Sequence, residues 1–258
     1  MIRIAGADRI SFLNGLVSND VARAVPGGAV WAALLSPQGR YVADFFIFSD
    51  GEALFLDAPG AAVAELVGKL RRYRLRAAVE VEDLSGALHV YAAWGGMPPR
   101  VDITAPDPRL EGAGFRSLSP EALTATATAA DYDAHRLGLG LPDGPPDLEV
   151  DKTLLLEAGF DELNGVDWEK GCYMGQELTA RTKYRGLVKR RLVPVICEGD
   201  APEPGTVILA DGAEVGAMRS GVGAMGLATL RLDALGKPLS AGAVSLTPSI
   251  PGWMRLPA

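Results

Sequence analysis

Apolar and polar residues follow two different periods along the first 84 residues, a pattern that predicts a unit of mixed helix and strand. A short helix is expected after Asp8, a candidate N-cap. Four apolar residues recur at helical spacing and predict a helix from about residue 61 to residue 73: Val63, Leu66, Val67 and Leu70. Three strand-length apolar runs lie between these helices: Ala29–Leu35, Tyr41–Phe48 and Ala53–Asp57. The turns between them are short, which favours antiparallel pairing.

The rest of the chain predicts a second α+β unit followed by a small β-barrel or sandwich. Strands at Leu88–Ala93 and Gly114–Leu118 precede a helical stretch from Ser119 to about Leu137. Beyond Leu187 the apolar runs have only strand length, and the Asp-Gly pair at 211–212 is typical of a hairpin. The segment at 221–226 has the GxGxxG spacing, but it lies among strands without a βαβ unit, so it is interpreted as a barrel turn.

Composition narrows the class of protein. The 258 residues include 32 acidic and 25 basic side chains, a net charge of −7, which argues against nucleic-acid binding. No apolar run reaches the roughly 20 residues of a membrane span, and the first residues do not resemble a secretory signal peptide. Two cysteines make neither a disulfide framework nor a closed metal site. These features predict a cytoplasmic protein with reduced thiols, no resident metal and no membrane partner.

The segment from Lys170 to Glu177, KGCYMGQE, concentrates chemically active groups. Lys170 precedes Cys172 by two residues, and a nearby cation lowers a thiol pKa and favours the reactive thiolate. The two glycines permit close approach of a ligand. The alternative is a buried structural cysteine in a polar turn, and the residues alone leave both readings open. Cys197 follows an apolar strand and is interpreted as inert.

Two further features indicate a ligand. Glu157 follows three leucines, so its carboxylate needs a partner, either an internal Arg or Lys or the amidine-like edge of a pterin. A basic stretch directly follows the cysteine motif: Arg181, Lys183, Arg185, Lys189, Arg190 and Arg191. Such stretches are usually solvated, and only Arg181 and Arg185 are favoured as anion ligands.

These motifs together resemble the YgfZ family of folate-binding proteins, which are related to the aminomethyltransferase of the glycine cleavage system. The resemblance rests on KGCYMGQE and spans nearly the whole chain. Other matching segments are Phe12–Leu16 with Asn19-Asp20, Leu35–Arg40, Tyr73–Arg76, Gly165–Trp168, Ala180-Arg181 and Tyr184–Gly186. The resemblance implies two intertwined ferredoxin-like α+β units and a C-terminal antiparallel β-barrel around a central folate-sized hole. The expected domains are 1–84, 85–185 and 186–258.

The function implied by this resemblance is a tetrahydrofolate-binding accessory protein for iron–sulfur cluster assembly or repair. Cys172, activated by Lys170, would be the reactive thiol, and any cluster would be transient and shared with a partner, because four-iron clusters need four thiolates. The expected cofactor-binding residues are Glu157, Tyr173, Gln176, Glu177, Arg181, Arg185 and Asp44. The expected partners are folate and iron–sulfur client or assembly proteins, with a monomeric chain.

The alternative is a folate-dependent one-carbon transferase or demethylase. Aminomethyltransferases carry adjacent aspartates where this chain has Ala43-Asp44, and they lack the Lys-Gly-Cys motif. These departures disfavour glycine-cleavage activity, although Asp44 remains a candidate folate contact.

Overall fold

Antiparallel pairing dominates residues 1–256, the part of the chain that the computed structural model describes. These residues group into two units, which are described separately. Unit 1 comprises residues 1–124 and 163–176, and unit 2 comprises residues 125–162 and those from 177 onward.

Among the described residues, unit 1 contains eight strands and two α-helices, and unit 2 contains six strands and two α-helices. The strands of unit 1 are β1 (Ile2–Ala5), β2 (Ala29–Leu35), β3 (Tyr41–Ser49), β4 (Ala53–Asp57), β5 (Glu80–Asp83), β6 (His89–Ala93), β7 (Ile103–Pro106) and β8 (Phe115–Ser119), and its helices are α1 (Arg9–Asn14) and α2 (Val63–Tyr73). The elements of unit 2 are α3 (Ala129–Leu139), α4 (Gln176–Tyr184, whose first residue belongs to unit 1), β9 (Arg190–Cys197), β10 (Val207–Ala210), β11 (Ala213–Val222), β12 (Met225–Arg231), β13 (Leu239–Ala241) and β14 (Val244–Pro248).

The main sheet of unit 1 has the order β2-β3-β4-β1-β5, with every pair antiparallel. Alternate side chains of β2 and β3 point to opposite faces, and one set joins α2 in a buried core. That core includes Val30, Ala32 and Leu34 from β2, Ala43, Phe45 and Ile47 from β3, and Val63, Leu66, Val67 and Leu70 from α2. The helical spacing seen in the sequence therefore marks the face of α2 that is buried.

The other face of this sheet contacts a buried cluster of charges. Arg109 is 1% exposed and lies over the Trp31 and Phe46 rings, while Arg116 of β8 lies 3.9 Å from the Phe46 centroid. Arg109 pairs with Asp107 at 2.8 Å. Burial opposes ionisation of Asp107, but the two arginines outweigh it and keep the pKa of that carboxyl below its usual value. The second sheet, β6-β8-β7, is thereby joined to the first within unit 1.

Unit 2 contains a closed antiparallel barrel with the order β10-β11-β12-β9-β14-β13. Asp211 and Gly212 connect β10 to β11 with φ angles of 52° and 77°, which two-residue hairpin turns require. The Gly-rich segment at 221–226 forms the tight connection of β11 and β12, with Val222 opposite Met225. It is a hairpin turn, as the sequence indicated, and no phosphate-binding crossover.

The α+β class and the C-terminal antiparallel barrel are confirmed, while several local predictions are corrected. Asp8 does not cap α1, because its carboxylate accepts the N–H of Ala78 at 2.7 Å. The helix expected from residue 119 begins at Ala129 instead, behind a capping box formed by Thr128 and Asp131.

The two units combine segments that are distant in the sequence. Residues 85–124 group with the first 84, whereas residues 125–162 group with the barrel. The ion pair of Arg116 with Asp57 at 2.7 Å is one reason, since it joins β8 to β4. The division into domains 1–84, 85–185 and 186–258 and the folate-sized hole stay predictions.

Candidate functional site

The ammonium of Lys170 is held by three backbone carbonyls of the N-terminal segment. Its Nζ donates to the carbonyl oxygens of Asn14 at 2.8 Å, Val17 at 2.7 Å and Asn19 at 2.7 Å. An ammonium has three N–H donors, so all of them have partners in this arrangement. Burial lowers the pKa of Lys170 to about 8, against the opposing effect of Asp20 and Asp167. A hydrogen bond from Lys170 to the Cys172 thiolate would require one of these three bonds to break.

Asp167 orders the backbone immediately before the cysteine. Its carboxylate accepts the N–H groups of Glu169 at 2.8 Å and Lys170 at 2.9 Å. Partial burial opposes ionisation, but these two bonds and Arg23, at 3.4 Å, hold the pKa of Asp167 below its usual value. The turn that carries Lys170 is therefore formed by an ionised aspartate within it.

Ser18 and Asn19 attach the same segment to strand β2. The Ser18 hydroxyl donates to the carbonyl of Gly165 at 2.6 Å and accepts the N–H of Ala33. The Asn19 amide donates to the carbonyls of Trp31 at 2.8 Å and Asn164 at 2.6 Å. Both side chains are buried, so these bonds are shielded from water. The segment near residue 19, which is one of those that carry the family resemblance, therefore holds residues 164–170 in place through these hydrogen bonds.

Gly175 packs against the turn between β2 and β3. Its φ is +79°, and a Cβ there would lie 2.5 Å from the Ser36 carbonyl oxygen and 2.8 Å from Leu35 Cβ. Only glycine fits such an approach of two backbones. The Ser-Pro-Gln-Gly turn and the cysteine motif, far apart in sequence, are therefore two sides of one contact.

Cys172 lies on the loop that these contacts hold, and its thiol is exposed. Cys197 is also a free thiol, but it is buried in the barrel, where burial raises its pKa and disfavours the thiolate. The two cysteines thus have different environments, one exposed and one buried.

Tyr173 and Gln176 have structural roles in this loop. Tyr173 is 7% exposed and its ring centroid lies 5.2 Å from Lys170 Nζ, within the range of a cation–π contact. The Gln176 Oε1 accepts the N–H of Tyr173 at 3.3 Å. Both were predicted to bind a cofactor, and that role stays a prediction.

Asp44 is buried in β3 and 3% exposed. Its two carboxylate oxygens accept the Trp31 indole N–H at 2.9 Å and the Tyr41 hydroxyl at 2.7 Å. A folate contact at Asp44 would have to compete with these bonds, which the sequence did not reveal.

Glu157 lies, half-buried, in a 3₁₀ turn of unit 2, Leu155–Ala158. Arg191 holds this turn, since it donates to the Leu156 carbonyl at 3.1 Å and forms a two-oxygen pair with Glu162 at 3.0 Å. Gly159 ends the turn at φ +79°, and a Cβ there would lie 3.2 Å from the Trp253 ring. Glu157 therefore projects from a turn with a fixed backbone.

The basic stretch after the motif divides into paired and exposed residues. Arg191, expected on a solvated strand, is 4% exposed in its ion pair, and Lys183 pairs with Asp161 at 3.1 Å. Arg181 and Arg185 are exposed. They follow Glu177 at intervals of four residues along α4 and its continuation, so the three share one helical face.

Within residues 1–256, no three His, Cys, Asp or Glu side chains come together as a possible metal site. In the same range, no helix combines the length and the apolar character needed to cross a membrane.

Comparison with known proteins identifies relatives along the whole chain. Residues 189–256 match the family described as CAF17, C-terminal beta-barrel domain. The iron–sulfur cluster assembly factor IBA57, mitochondrial, of Mus musculus is 32% identical over 98% of this chain and 82% of its own length. The Homo sapiens protein of that name matches with the same identity and coverage. The Mycosarcoma maydis homolog is 35% identical, but the match covers 76% of this chain and only 54% of that relative.

A solved structure shares the fold. The glycine cleavage system aminomethyltransferase T from Bartonella henselae superposes with a TM-score of 0.75 over 98% of this chain and 83% of that one. The sequences are 15% identical, so the likeness shows the fold alone.

The relatives also overturn one prediction. A cytoplasmic location was expected, but the relatives are named as mitochondrial proteins. That expectation rested on the lack of a secretory signal and of a membrane-length apolar run and on the two cysteines, none of which separates cytoplasmic from mitochondrial proteins. The identity of 32% across nearly the whole chain, together with the matching barrel, shows that the chain belongs to the IBA57 family of iron–sulfur cluster assembly factors.

Proposed function

We propose that this protein is a tetrahydrofolate-binding accessory factor for iron–sulfur cluster assembly or repair, with Cys172 as its reactive thiol. The observation that carries the assembly role is the set of relatives named iron–sulfur cluster assembly factors, matched over nearly the whole chain. The partners are accordingly iron–sulfur assembly or client proteins. The YgfZ resemblance of the motif supports the folate part of the proposal.

The geometry of the cysteine loop supports a reactive role for Cys172. Lys170, Asp167 and Gly175 fix the backbone on both sides of the thiol, and the thiol itself is exposed. A site held by a rigid scaffold and open to a partner suits a group that must be presented to a second protein. One thiol supplies one of the four ligands that such a cluster generally needs, so a cluster would be shared with the partner.

Folate would be held in this proposal by Glu157 and by two exposed arginines, Arg181 of α4 and Arg185 just beyond its end. A carboxylate on a fixed turn accepts two parallel hydrogen bonds from the 2-amino-pyrimidine edge of a pterin. Arg181 and Arg185 offer charges for the glutamate carboxylates of folate. The fit is supported by the half-exposed position of Glu157 and the exposure of both arginines. Asp44 is the least suited of the predicted contacts, because both of its oxygens already accept hydrogen bonds.

The role of the thiol is tested by complementation of a deletion strain, with the activity of a four-iron enzyme as the readout. Cys172→Ala should fail to restore that activity while the protein melts as the wild type does, because the exposed thiol makes little contribution to packing. Cys197→Ala is the matched control, since it removes the other thiol without touching the loop. Restoration by Cys172→Ala would refute the role of this thiol.

The folate premise is tested separately by calorimetric titration with tetrahydrofolate. Binding should weaken at least about tenfold in Glu157→Ala, as expected for loss of a charged, bidentate hydrogen bond. Glu198→Gln, a change at an exposed carboxylate next to the barrel strand β9, should leave the affinity unchanged. No binding to the wild type would remove folate from the proposal and leave the assembly role standing.

A one-carbon transferase is the second candidate function, favoured by the aminomethyltransferase fold. The engaged, buried state of Asp44 argues against it, since a carboxylate already bonded to Trp31 and Tyr41 is poorly placed to bind a reacting amine. Incubation with tetrahydrofolate, a panel of N-methyl amines and an added two-electron acceptor decides the matter, because conversion of an N-methyl group to the methylene level is a two-electron oxidation. Formation of methylene-tetrahydrofolate would favour the enzyme.

A further inference from the structure

The end of helix α2 carries an exposed leucine among arginines. Leu75 is 86% exposed and has a φ of +46°. Arg72, Arg74 and Arg76 surround it in sequence and are exposed as well. We call Arg72, Leu75 and Arg76 the α2-end surface.

The fold of unit 1 does not require this leucine. The apolar face of α2 is already buried through Val63, Leu66, Val67 and Leu70. The left-handed conformation just past a helix end favours Gly or Asn, because a Cβ is strained there. Leu75 therefore combines backbone strain with an apolar side chain in water. Both features destabilise the free protein, and a contact between Leu75 and a partner would explain why they are present.

The charge around Leu75 is positive and is only partly paired. Five cations fall within residues 69–76, and no acidic residue interrupts them, in a chain whose net charge is −7. Arg71 and Arg74 donate to the backbone carbonyls of Val81 and Val79, which are neutral. Lys69 pairs with Glu65 at 3.2 Å, whereas Arg72 and Arg76 form no ion pair with any residue in the range 1–256. The complementary surface is therefore acidic.

The apolar centre favours a protein over a membrane or a nucleic acid. An amphipathic helix binds a bilayer with a whole apolar face, and that face of α2 is buried in the core of unit 1. Phosphate backbones need cations but offer nothing to an exposed leucine, and the net charge of −7 repels them. An apolar residue ringed by charged ones is instead the usual arrangement at a protein interface.

We propose that the α2-end surface docks a protein partner through an acidic patch that encloses an apolar pocket for Leu75. The proposed function uses none of these residues, so the docking surface is additional to it.

The first test places a photo-cross-linking amino acid at position 75 of the full chain in its own cells. Met97 is the matched control, because it is 89% exposed in unit 1 and has one cation, Arg100, within five residues. We expect the cross-linker at position 75 to form an adduct with one acidic protein. The cross-linker at position 97 should not form an adduct with that protein. The identified protein is then purified and titrated by calorimetry against the wild type and the variants.

Leu75→Gly should raise the Kd at least about tenfold, as expected when an interface anchor is lost, while the melting temperature stays level or rises. Leu75→Met should bind nearly as the wild type does. Arg72→Glu and Arg76→Glu should weaken binding and reduce its dependence on NaCl. The proposal is overturned by equal affinity across these variants, by the lack of a position-specific adduct, or by binding to phosphatidylglycerol vesicles or a DNA duplex instead.

The outcome is separable from that of the proposed function. The four-iron enzyme could keep its normal activity in cells with Leu75→Gly and Arg76→Glu, and these variants could bind the partner as the wild type does. That result would refute the proposed docking surface and leave the proposed function untouched. Loss of that activity in Cys172→Ala tests the thiol and does not depend on Leu75.

Discussion

Replacing Lys170 by methionine removes the ammonium from the cysteine loop and keeps most of the aliphatic chain. In the wild type this ammonium donates to the carbonyls of Asn14, Val17 and Asn19 at 2.7–2.8 Å. The variant leaves three carbonyls without that donor. The perturbation therefore isolates the polar contribution of one side chain.

The expected loss follows from the number of bonds. A net intramolecular hydrogen bond contributes about 0.5–1.5 kcal/mol, so three contribute roughly 1.5–4.5 kcal/mol. Methionine has no charge to desolvate, so the variant avoids part of the cost of burying Lys170. Desolvation of the ammonium is also the reason that the pKa of Lys170 falls to about 8. We therefore expect the free energy of unfolding to fall by about 2–3 kcal/mol, below the simple sum of three strong bonds.

Urea unfolding at pH 7 measures this loss. Lys237→Met is the control, because Lys237 forms an exposed pair with Asp211 at 2.9 Å and such pairs contribute about 0–1 kcal/mol. Hydrogen exchange adds a local readout. The amide of Met174, which donates to the Gly15 carbonyl at 3.1 Å, should lose protection in the Lys170 variant.

The pH dependence has a definite sign. The folded-state pKa of Lys170 is about 8, below the roughly 10.4 of an exposed lysine, so the folded state binds fewer protons between these values. The free energy of unfolding of the wild type should therefore rise relative to Lys170→Met as the pH increases from 8 to 10. A variant as stable as Lys237→Met at pH 7, with unchanged exchange at Met174, would refute the three-carbonyl clamp.

Three other changes test the same region. Gly175→Ala should lower the free energy of unfolding by more than about 2 kcal/mol in thermal or urea unfolding, because the new Cβ would lie 2.5 Å from the Ser36 carbonyl oxygen. Gly171→Ala is the control: a Cβ there has nothing within 4 Å, so the free energy of unfolding should change by less than about 0.5 kcal/mol. Equal effects of the two changes would contradict the packing of Gly175. Asp167→Asn should lower the free energy of unfolding by about 1 kcal/mol at pH 7. Because the pKa of Asp167 is lowered on folding, the difference in stability between wild type and variant should disappear as the pH falls below about 4 and the carboxylate becomes protonated. A difference that does not change with pH would contradict an ionised Asp167. Asp44→Asn should cost about 2 kcal/mol and alter near-UV circular dichroism, because Trp31 and Tyr41 donate to different oxygens of Asp44 and the amide nitrogen would replace one of these acceptors; an unchanged spectrum would contradict these bonds.

Strands bounded by strong turn signals were predictable from the sequence. The bounds of β2 and β4 agree with those predicted, since Ser36–Gly39 and Ser49–Gly51 are turn sequences. Strands β1 and β13, of four and three residues, were missed because so short a run has no readable period. Strand β11 was missed as well, because its apolar residues do not alternate and its pairing with β10 and β12 defines it.

The location of the candidate site was predictable, but the role of each residue was not. The motif indicated this loop as the candidate site, and Lys170 was expected to act on Cys172. Its three partners come from residues 14–19, about 150 positions earlier in the chain. Carbonyl acceptors are present in every residue and leave no compositional trace, so no spacing rule could have revealed this contact.

The motif KGCYMGQE separates into residues that build the loop and residues that face solvent. Lys170, Tyr173, Gly175 and Gln176 all have contacts that shape its backbone, and Met174 packs against the core of unit 1. Cys172 and Glu177 are the motif side chains that are exposed. A free, exposed thiol invites oxidation and contributes little to the fold. Several contacts therefore fix a loop whose cysteine is exposed, and this contrast is the physical ground for the proposal that Cys172 is the reactive thiol.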